Sequence, residues 1–388
     1  MPGDAPSVLF INHWAKRLGG AEYSLLDILA ACSRRIRTRL ITSEPGPLLT
    51  RAADFNCESR IIGCSMKRGN NMRDHLARTL LSAGGMISFF RFVFSVSRYI
   101  KKVKPAVIHA NIPLSHATLF LLVLLGYRGK CSFHMREIFR RHSLPSLLYQ
   151  LFFPFRRGRI IAISESVREN LPFPLRKSAV VLHNGVTVPA EPNERRSAPG
   201  EAMWFIYLGR VVPWKGCHHL VDIFGEISKR RPQGTWALSL VGDTIYWSDS
   251  YRRHLEEKIR KGGLGSCCAL LPHTDDPALA MRSHDVFVNA SLQEPFGRSI
   301  AEAQAEGLAV VAYDSGGIRE IVEHGKTGIL VPYGDKDGFV KAIERLLDNR
   351  EEARTMGKRG HERAKRFFNR DIQLPKICDE ILRGVEGK

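Results

Sequence analysis

The sequence predicts an α/β protein built from two doubly wound domains. Three observations carry this reading. At 388 residues the chain is longer than one compact core usually takes. Short apolar runs alternate with helical-period stretches along its length, the pattern of a parallel sheet covered by helices. A polar, proline-containing stretch at 189–200 separates two such series and reads as a linker.

In the first series the expected strands are 8–12, 38–42, 106–110, 131–134, 160–163 and 179–182. In the second they are 204–208, 237–241, 269–271, 286–289, 309–312 and 328–331. The expected domains are 1–188 and 201–370, with a final helix at 371–388 crossing back to complete the first. In doubly wound sheets a ligand sits outside the carboxyl ends of the strands, so the site is expected where the two domains meet.

An apolar fraction of 44% and a charged fraction of 25% exclude disordered and fibrous classes. Residues 1–6 carry no basic leader, and 7–12 read as a buried first strand rather than a secretory signal. The longest apolar run, 119–125, falls short of the roughly 20 residues that span a bilayer. The eight cysteines form no CxxC pair and are read as reduced thiols of a cytosolic protein. Adjacent Cys267 and Cys268 suit one metal ion poorly.

The net charge of +19 is lopsided: residues 1–190 hold 28 basic and 10 acidic side chains, the remainder 30 and 29. Such asymmetry calls for an anionic partner of the first half. Residues 76–104 mix Phe89, Phe90, Phe92, Phe94 and Tyr99 with Arg91, Arg98, Lys101, Lys102 and Lys104, and 139–159 repeat the mixture. Basic amphipathic helices with exposed aromatics lie on anionic membranes, whereas a core-facing helix with a solvated basic face has the same composition. Both readings stand at this level. Nucleic acid would explain the charge, but no helix-turn-helix, zinc-finger or RNP pattern accompanies it.

The strongest chemical signal is Ser291-Leu-Gln-Glu294-Pro-Phe-Gly297-Arg-Ser-Ile-Ala-Glu302-Ala-Gln-Ala-Glu-Gly307. A strand ends near Asn289, and a helix starts near Arg298. Its free N–H groups and dipole suit a diphosphate. Glu294 and Glu302 repel phosphate but accept strongly from sugar and ribose hydroxyls. A second signal is Tyr207-Leu-Gly209-Arg210-Val-Val-Pro-Trp-Lys215-Gly216, where two cations five residues apart can neutralise one anion. Leu18-Gly19-Gly20-Ala21-Glu22 follows the first strand and allows close backbone approach to a ligand, with Glu22 also suited to capping its helix. His134, in Phe-His134-Met-Arg-Glu137, ends a strand of the first domain.

These segments resemble retaining glycosyltransferase family 4. The E-x7-E element with its E-P-F-G core is matched by Glu294 to Glu302. The resemblance continues through Asp314-Ser-Gly-Gly-Ile-Arg-Glu320 and on to Pro332, and extends to the G-R-x-x-x-x-K-G and G-G-A-E elements. It implies the GT-B fold, two Rossmann-like domains facing across a cleft. It also implies transfer of a glycosyl group, with retention and without metal, from a UDP- or GDP-sugar to a glycan or lipid-linked acceptor in cell-surface polysaccharide assembly.

Residue by residue, the resemblance implies that Glu294 and the amides of Phe296 and Gly297 hold the donor sugar. The amides of Ser299 and Ile300 lie near the phosphates, and Glu302 binds ribose. Arg210 and Lys215 neutralise the leaving diphosphate, which Gly19 and Gly20 border, and His134 bonds the donor sugar. The family commonly has an acidic residue after this histidine; here Met135-Arg136-Glu137 follows, which passes any orienting carboxylate role to Glu137. His109, preceded by Ala106 where Asp is usual, is structural or acceptor-side. Ser164 and Asn184-Gly185 are smaller matches, and Pro272-His273-Thr274 falls where the family's base-binding loop lies. Asp335-Lys-Asp337, the only D-x-D, reads as a helix start and not a metal site. No cofactor is expected, and the place implied is the cytoplasmic face of a membrane. The alternatives are an inactive GT-B binding subunit and a basic nucleic-acid-binding protein. A phosphorylase would need a pyridoxal-lysine signature that is not found.

Overall fold

The computed structural model describes residues 6–65, 82–139, 149, 158–192, 201–244, 249–383 and 385. The chain divides into two units, Met1–Gly185 with Asp371–Lys388, and Val186–Arg370.

The first unit contains β1 (Ser7–Ile11), α1 (Gly20–Cys32), β2 (Arg37–Thr42), α2 (Pro47–Ala53), β3 (Glu58–Ile61), α3 (Ala83–Val103), β4 (Val107–Ala110), α4 (Pro113–Leu124), β5 (Lys130–Met135), β6 (Gly158–Ala162), α5 (Glu165–Glu169), α6 (Leu175–Ser178) and β7 (Ala179–Val181). Its sheet runs β3-β2-β1-β4-β5-β6-β7, every pairing parallel. Strand order reverses between β1 and β4, which places the switch point of a doubly wound sheet at their carboxyl ends. β1 is buried along its whole length, as its unbroken apolar run requires of a strand covered on both faces. β3, at the sheet edge, is exposed throughout and has no apolar run, so hydrophobic patterning passes over it.

The second unit contains β8 (Met203–Leu208), α7 (Cys217–Arg230), β9 (Trp236–Val241), α8 (Asp249–Lys261), β10 (Cys268–Leu271), α9 (Pro277–Arg282), β11 (Val286–Asn289), α10 (Arg298–Ala305), β12 (Ala309–Asp314), α11 (Ile318–Ile321), β13 (Gly328–Pro332), α12 (Lys336–Asp348) and α13 (Arg350–Phe367). Its parallel sheet runs β10-β9-β8-β11-β12-β13, with the reversal between β8 and β11. Leu220, Val221, Phe224 and Ile227 form the buried stripe of α7, packed with Phe205, Trp236 and Phe339. At helical spacing they hold that helix on the sheet.

The last helix, α14 (Arg370–Leu382), buries Leu374, Ile377, Ile381 and Leu382 with Phe10, Leu25 and Leu29 in the core of the first unit. It also overturns the expectation that all eight cysteines are free thiols. Cys32 of α1 and Cys378 of α14 are joined in a disulfide with Cα atoms 5.8 Å apart. The partners lie 346 residues apart, so local spacing gives no sign of the pair. Cys267 and Cys268 are buried core thiols. Among the described residues no group of three or more His, Cys, Asp or Glu is arranged to hold a metal ion.

Among the described residues no helix is long and apolar enough to cross a membrane. Helix α3 has two apolar faces. Phe89, Phe92, Val93, Val96 and Ile100 are buried, while Met86, Ile87, Phe90 and Phe94 stand exposed beside Arg91, Arg98 and Lys101. Residues 76–81 and most of 139–159, the rest of the basic aromatic segments, lie outside the described residues, as do 193–200 of the expected linker.

Candidate active site

In the second unit the two loops at the β8/β11 reversal carry the residues singled out in the sequence. The backbone brings them together by close contact. Gly216, at φ +75°, lies so near the end of β11 that a Cβ would fall 2.0 Å from the Ala290 carbonyl oxygen. The Leu292 N–H donates to the Trp214 carbonyl at 2.9 Å, tying the β11 loop to the β8 loop. The Gly317 N–H donates to the Glu294 carbonyl at 2.8 Å, and the Ser315 hydroxyl to the Ser291 carbonyl at 2.9 Å, which ties it to the β12 loop.

Within this frame Lys215 and Glu294, 79 residues apart, form an ion pair. Their side chains are 12% and 9% exposed, so the pair is shielded from bulk water. The Trp214 ring organises the cations: Lys215 Nζ lies 4.5 Å and Arg210 Cζ 5.2 Å from its centroid. That is cation–π distance for both. Arg210 itself is exposed.

Gly297 takes φ +101° as the N-cap of α10, a left-handed conformation that a side chain would strain. Phe296, just before this cap, is buried. The Ile300 N–H donates to the Gly297 carbonyl at 2.9 Å, so that amide is engaged within the first turn, and Ser299 precedes it. Glu302, one turn in, accepts from Arg298 Nε at 2.8 Å. The Pro272-His273-Thr274 stretch follows edge strand β10, two strands away from β8. Asp335 caps α12, its carboxylate accepting from the Gly338 N–H at 2.8 Å.

The first unit's reversal has a different character. Gly19 caps α1, and the Glu22 carboxylate reaches back to the Gly19 N–H at 3.0 Å. A Cβ on Gly20 would meet no chain atom within 4 Å, so packing within the chain does not demand a glycine there. His134 is fully buried at the end of β5. Burial pushes its pKa well below the ordinary histidine range, with Arg136, His109 and His116 adding to the effect. His109, also fully buried, has Nδ1 3.1 Å from the Ser132 hydroxyl.

The group bonded to His134 is not the expected carboxylate of Glu137. It is Arg136, whose Nη2 lies 3.3 Å from His134 Nδ1. The strand ends at Met135, and the next residue turns its guanidinium back along the sheet edge onto Asn111, Asn184 and Ser24. Asn184, read only as a turn residue in the sequence, thus belongs to the network at this edge. Ser164 caps α5 by accepting from the Val167 N–H at 3.0 Å.

Comparison with known proteins bears on both units. Residues 18–188 match the family model for Glycosyltransferase Family 4, and residues 191–363 that for Glycosyl transferases group 1. The chain belongs to these glycosyltransferases. The lipopolysaccharide core biosynthesis glycosyltransferase LpsE of Rhizobium meliloti (strain 1021) is 29% identical over 190 residues, 49% of this chain and 52% of that protein. The capsular polysaccharide biosynthesis glycosyltransferase CapM of Staphylococcus aureus is 28% identical over 185 residues, 47% of each. The chain thus spans about half the length of these curated relatives. Among solved structures, Anabaena Alr3699/HepE in complex with UDP and glucose superposes with a TM-score of 0.79 at 20% identity, covering 97% of this chain and 99% of that one. At that identity the likeness concerns the fold, a two-domain α/β fold of GT-B type.

Three features of these two regions are not legible in the sequence: in the second unit the Trp214 ring beneath two cations and the Lys215–Glu294 pair, and in the first the Arg136 network. Trp214 was visible inside the G-R-x-x-x-x-K-G element, but nothing in one sequence says that a ring lies beneath two cations. Arg136 was visible only as a departure from the acidic residue common in the family.

Proposed function

We propose that this glycosyltransferase moves a glycosyl group, with retention and without a metal ion, from a UDP- or GDP-sugar to a glycan or lipid-linked acceptor in cell-surface polysaccharide assembly. The observation that carries the proposal is the Lys215–Glu294 pair, held at a strand-order reversal beside the N-terminus of α10. The relatives named for lipopolysaccharide core and capsular polysaccharide biosynthesis, and the HepE structure with UDP and glucose, support it.

In this reading Glu294 accepts hydrogen bonds from donor-sugar hydroxyls, with the amides of Phe296 and Gly297 alongside. Lys215 and Arg210 offset the charge that develops on the departing diphosphate, the task a divalent cation performs elsewhere. The amide of Ser299 and the dipole of α10 act in the same sense. The Gly19-Gly20 backbone approaches the diphosphate, Glu302 holds ribose, and His134 bonds the donor sugar. The bond from the anomeric carbon to the phosphate oxygen breaks, and the acceptor oxygen bonds to the same face. The acceptor's proton passes to the leaving phosphate, so no carboxylate forms a covalent intermediate. The test is a panel of UDP- and GDP-sugars incubated with acceptor glycans in EDTA and followed by proton NMR. One donor is expected to be consumed, with product and donor sharing an anomeric configuration. Inversion, or turnover that appears only when Mg²⁺ is added, would refute the mechanism.

The acceptor side of the proposal rests on α3. Phe90 and Phe94 are 53% and 54% exposed, and the Arg98 guanidinium lies 4.6 Å from the Phe94 ring centroid. Exposed aromatics flanked by cations suit the interface of an anionic bilayer, where each Lys or Arg contributes about 1 kcal/mol. We place the chain peripherally on the cytoplasmic leaflet for that reason. Binding to phosphatidylglycerol vesicles should exceed binding to phosphatidylcholine vesicles, fall with added salt, and weaken in a Phe90→Ser, Phe94→Ser variant. Binding indifferent to salt and lipid charge would remove the membrane from the account.

A further inference from the structure

Arg136 gathers the carboxyl edge of the first unit's sheet. Its Nε lies 2.9 Å from Asn111 Oδ1, beyond β4. Its Nη1 is 3.1 Å from Asn184 Oδ1, beyond β7, and Nη2 is 3.1 Å from Ser24 Oγ of α1 and 3.3 Å from His134 Nδ1 of β5. The acceptors are held in turn. The Ser24 hydroxyl donates to Asn184 Oδ1 at 2.9 Å, and Asn111 Nδ2 donates to Asn12 Oδ1 at 3.0 Å. A guanidinium anchored at three neutral oxygens keeps one direction.

A guanidinium only donates. His134 Nδ1 therefore accepts, which requires a lone pair there and, on a neutral ring, the hydrogen on Nε2. A carboxylate at the same place would accept from Nδ1–H and leave Nε2 as the acceptor. The Met135-Arg136-Glu137 sequence thus reverses the ring relative to a histidine held by an acidic neighbour. Burial keeps the ring neutral, since it disfavours the charged form. His134 Nε2 is fully buried and has no hydrogen-bond partner among the described residues. Buried polar atoms are nearly always satisfied, so an orphan at the carboxyl edge of a doubly wound sheet points to a ligand atom.

We propose that Arg136 is a positioning residue that fixes His134 as the neutral Nε2–H tautomer, so that the ring donates a hydrogen bond to an oxygen of the bound sugar and does not act as a base. The role in transfer rests on the glycosyltransferase reading above; the tautomer does not. No proton changes hands at His134, consistent with a step in which the leaving phosphate takes the acceptor's proton.

The test is a long-range proton–nitrogen NMR spectrum of protein labelled with ¹⁵N-histidine, with the His134 signals identified by their loss in His134→Gln. The expected spectrum of the substrate-free protein shows the neutral Nε2–H pattern for His134. Arg136→Met should convert it to Nδ1–H or a mixture and lower kcat by about tenfold, with a smaller change in donor KM. Arg136→Lys, which still donates, should keep the pattern and recover most of the rate. An Nδ1–H pattern in the native protein overturns the assignment, as does an unchanged pattern in Arg136→Met. Should Arg136→Met fail to fold, the native and Arg136→Lys spectra decide it. Normal turnover in His134→Gln overturns the donor role. Absence of any glycosyl transfer by the native chain would refute the functional reading, while the spectrum still decides the tautomer.

Discussion

The two sheets solve the same topological problem with opposite electrostatics. At the β8/β11 reversal the polar groups are full charges: a shielded ion pair of Lys215 and Glu294, with exposed Arg210 across the Trp214 ring. At the β1/β4 reversal the rings are uncharged. His109 and His134 are buried and kept neutral, with His13 and His116 buried nearby. Beside them the Arg136 guanidinium is bonded to amide and hydroxyl oxygens and to an imidazole nitrogen. The paired charges of Lys215 and Glu294 with Arg210 suit a charged ligand such as a diphosphate, and the neutral imidazoles of the first unit suit hydroxyls. The fold supplies the two positions, and the side chains there decide which chemistry each performs.

The largest expected effect is on the charged edge. Glu294→Gln and Lys215→Ala should each lower turnover by on the order of 10²-fold or more, the usual cost of a lost transition-state contact. Steady-state release of nucleoside diphosphate measures it. Near-normal rates in either variant would mean that the donor is held elsewhere.

A smaller effect distinguishes the two units by pH. Burial lowers the pKa of His13 and His116 to about 3, and lowers those of His109 and His134, all in the first unit. In the second unit His218 is lowered to about 4, first by burial and then by His219 and Lys258. A histidine depressed in the folded state takes up its proton on unfolding. Its stabilisation is therefore complete above the unfolded value near 6.5 and is lost as pH falls toward the folded value, which for the buried His13 and His116 is about 3, by up to about 1.4 kcal/mol per pH unit for each of these two. Among the described residues four histidines of the first unit are lowered in this way, beside His218 of the second, so the first unit should open first in acid. Amide exchange at pH 7 and pH 5, corrected for intrinsic rates, should accelerate more in β1, β4 and β5 than in β8, β11 and β12. Equal acceleration would remove the contrast.

The two regions also differ in how far the sequence revealed them. Glu294, Gly297 and Glu302 lie within nine residues, and Arg210 and Lys215 within six, so a local pattern locates them. The first unit's edge is assembled from Asn12, Ser24, Asn111, His134, Arg136 and Asn184. Ser24 and Asn184 are 160 positions apart, and no spacing rule joins them. The strands followed the same division. The buried runs of β1 and β11 are apolar and were found, whereas edge strand β3 is exposed and was missed. Its Glu58 pairs instead with Arg37 and Arg39 on β2, a contact visible only once the strands lie side by side.

Whether the Lys215–Glu294 edge of the second unit receives a nucleotide sugar is decided by a thermal-shift titration in EDTA. UDP, GDP, ADP and their sugar conjugates would be compared on the native chain and on Lys215→Ala. UDP or GDP, with its sugar conjugate, should raise the melting temperature of the native chain, since a ligand at 100 times its Kd stabilises the folded state by about 2.7 kcal/mol. Most of that shift should vanish in Lys215→Ala. An equal shift in the variant, or none in the native chain with any nucleotide, would contradict it.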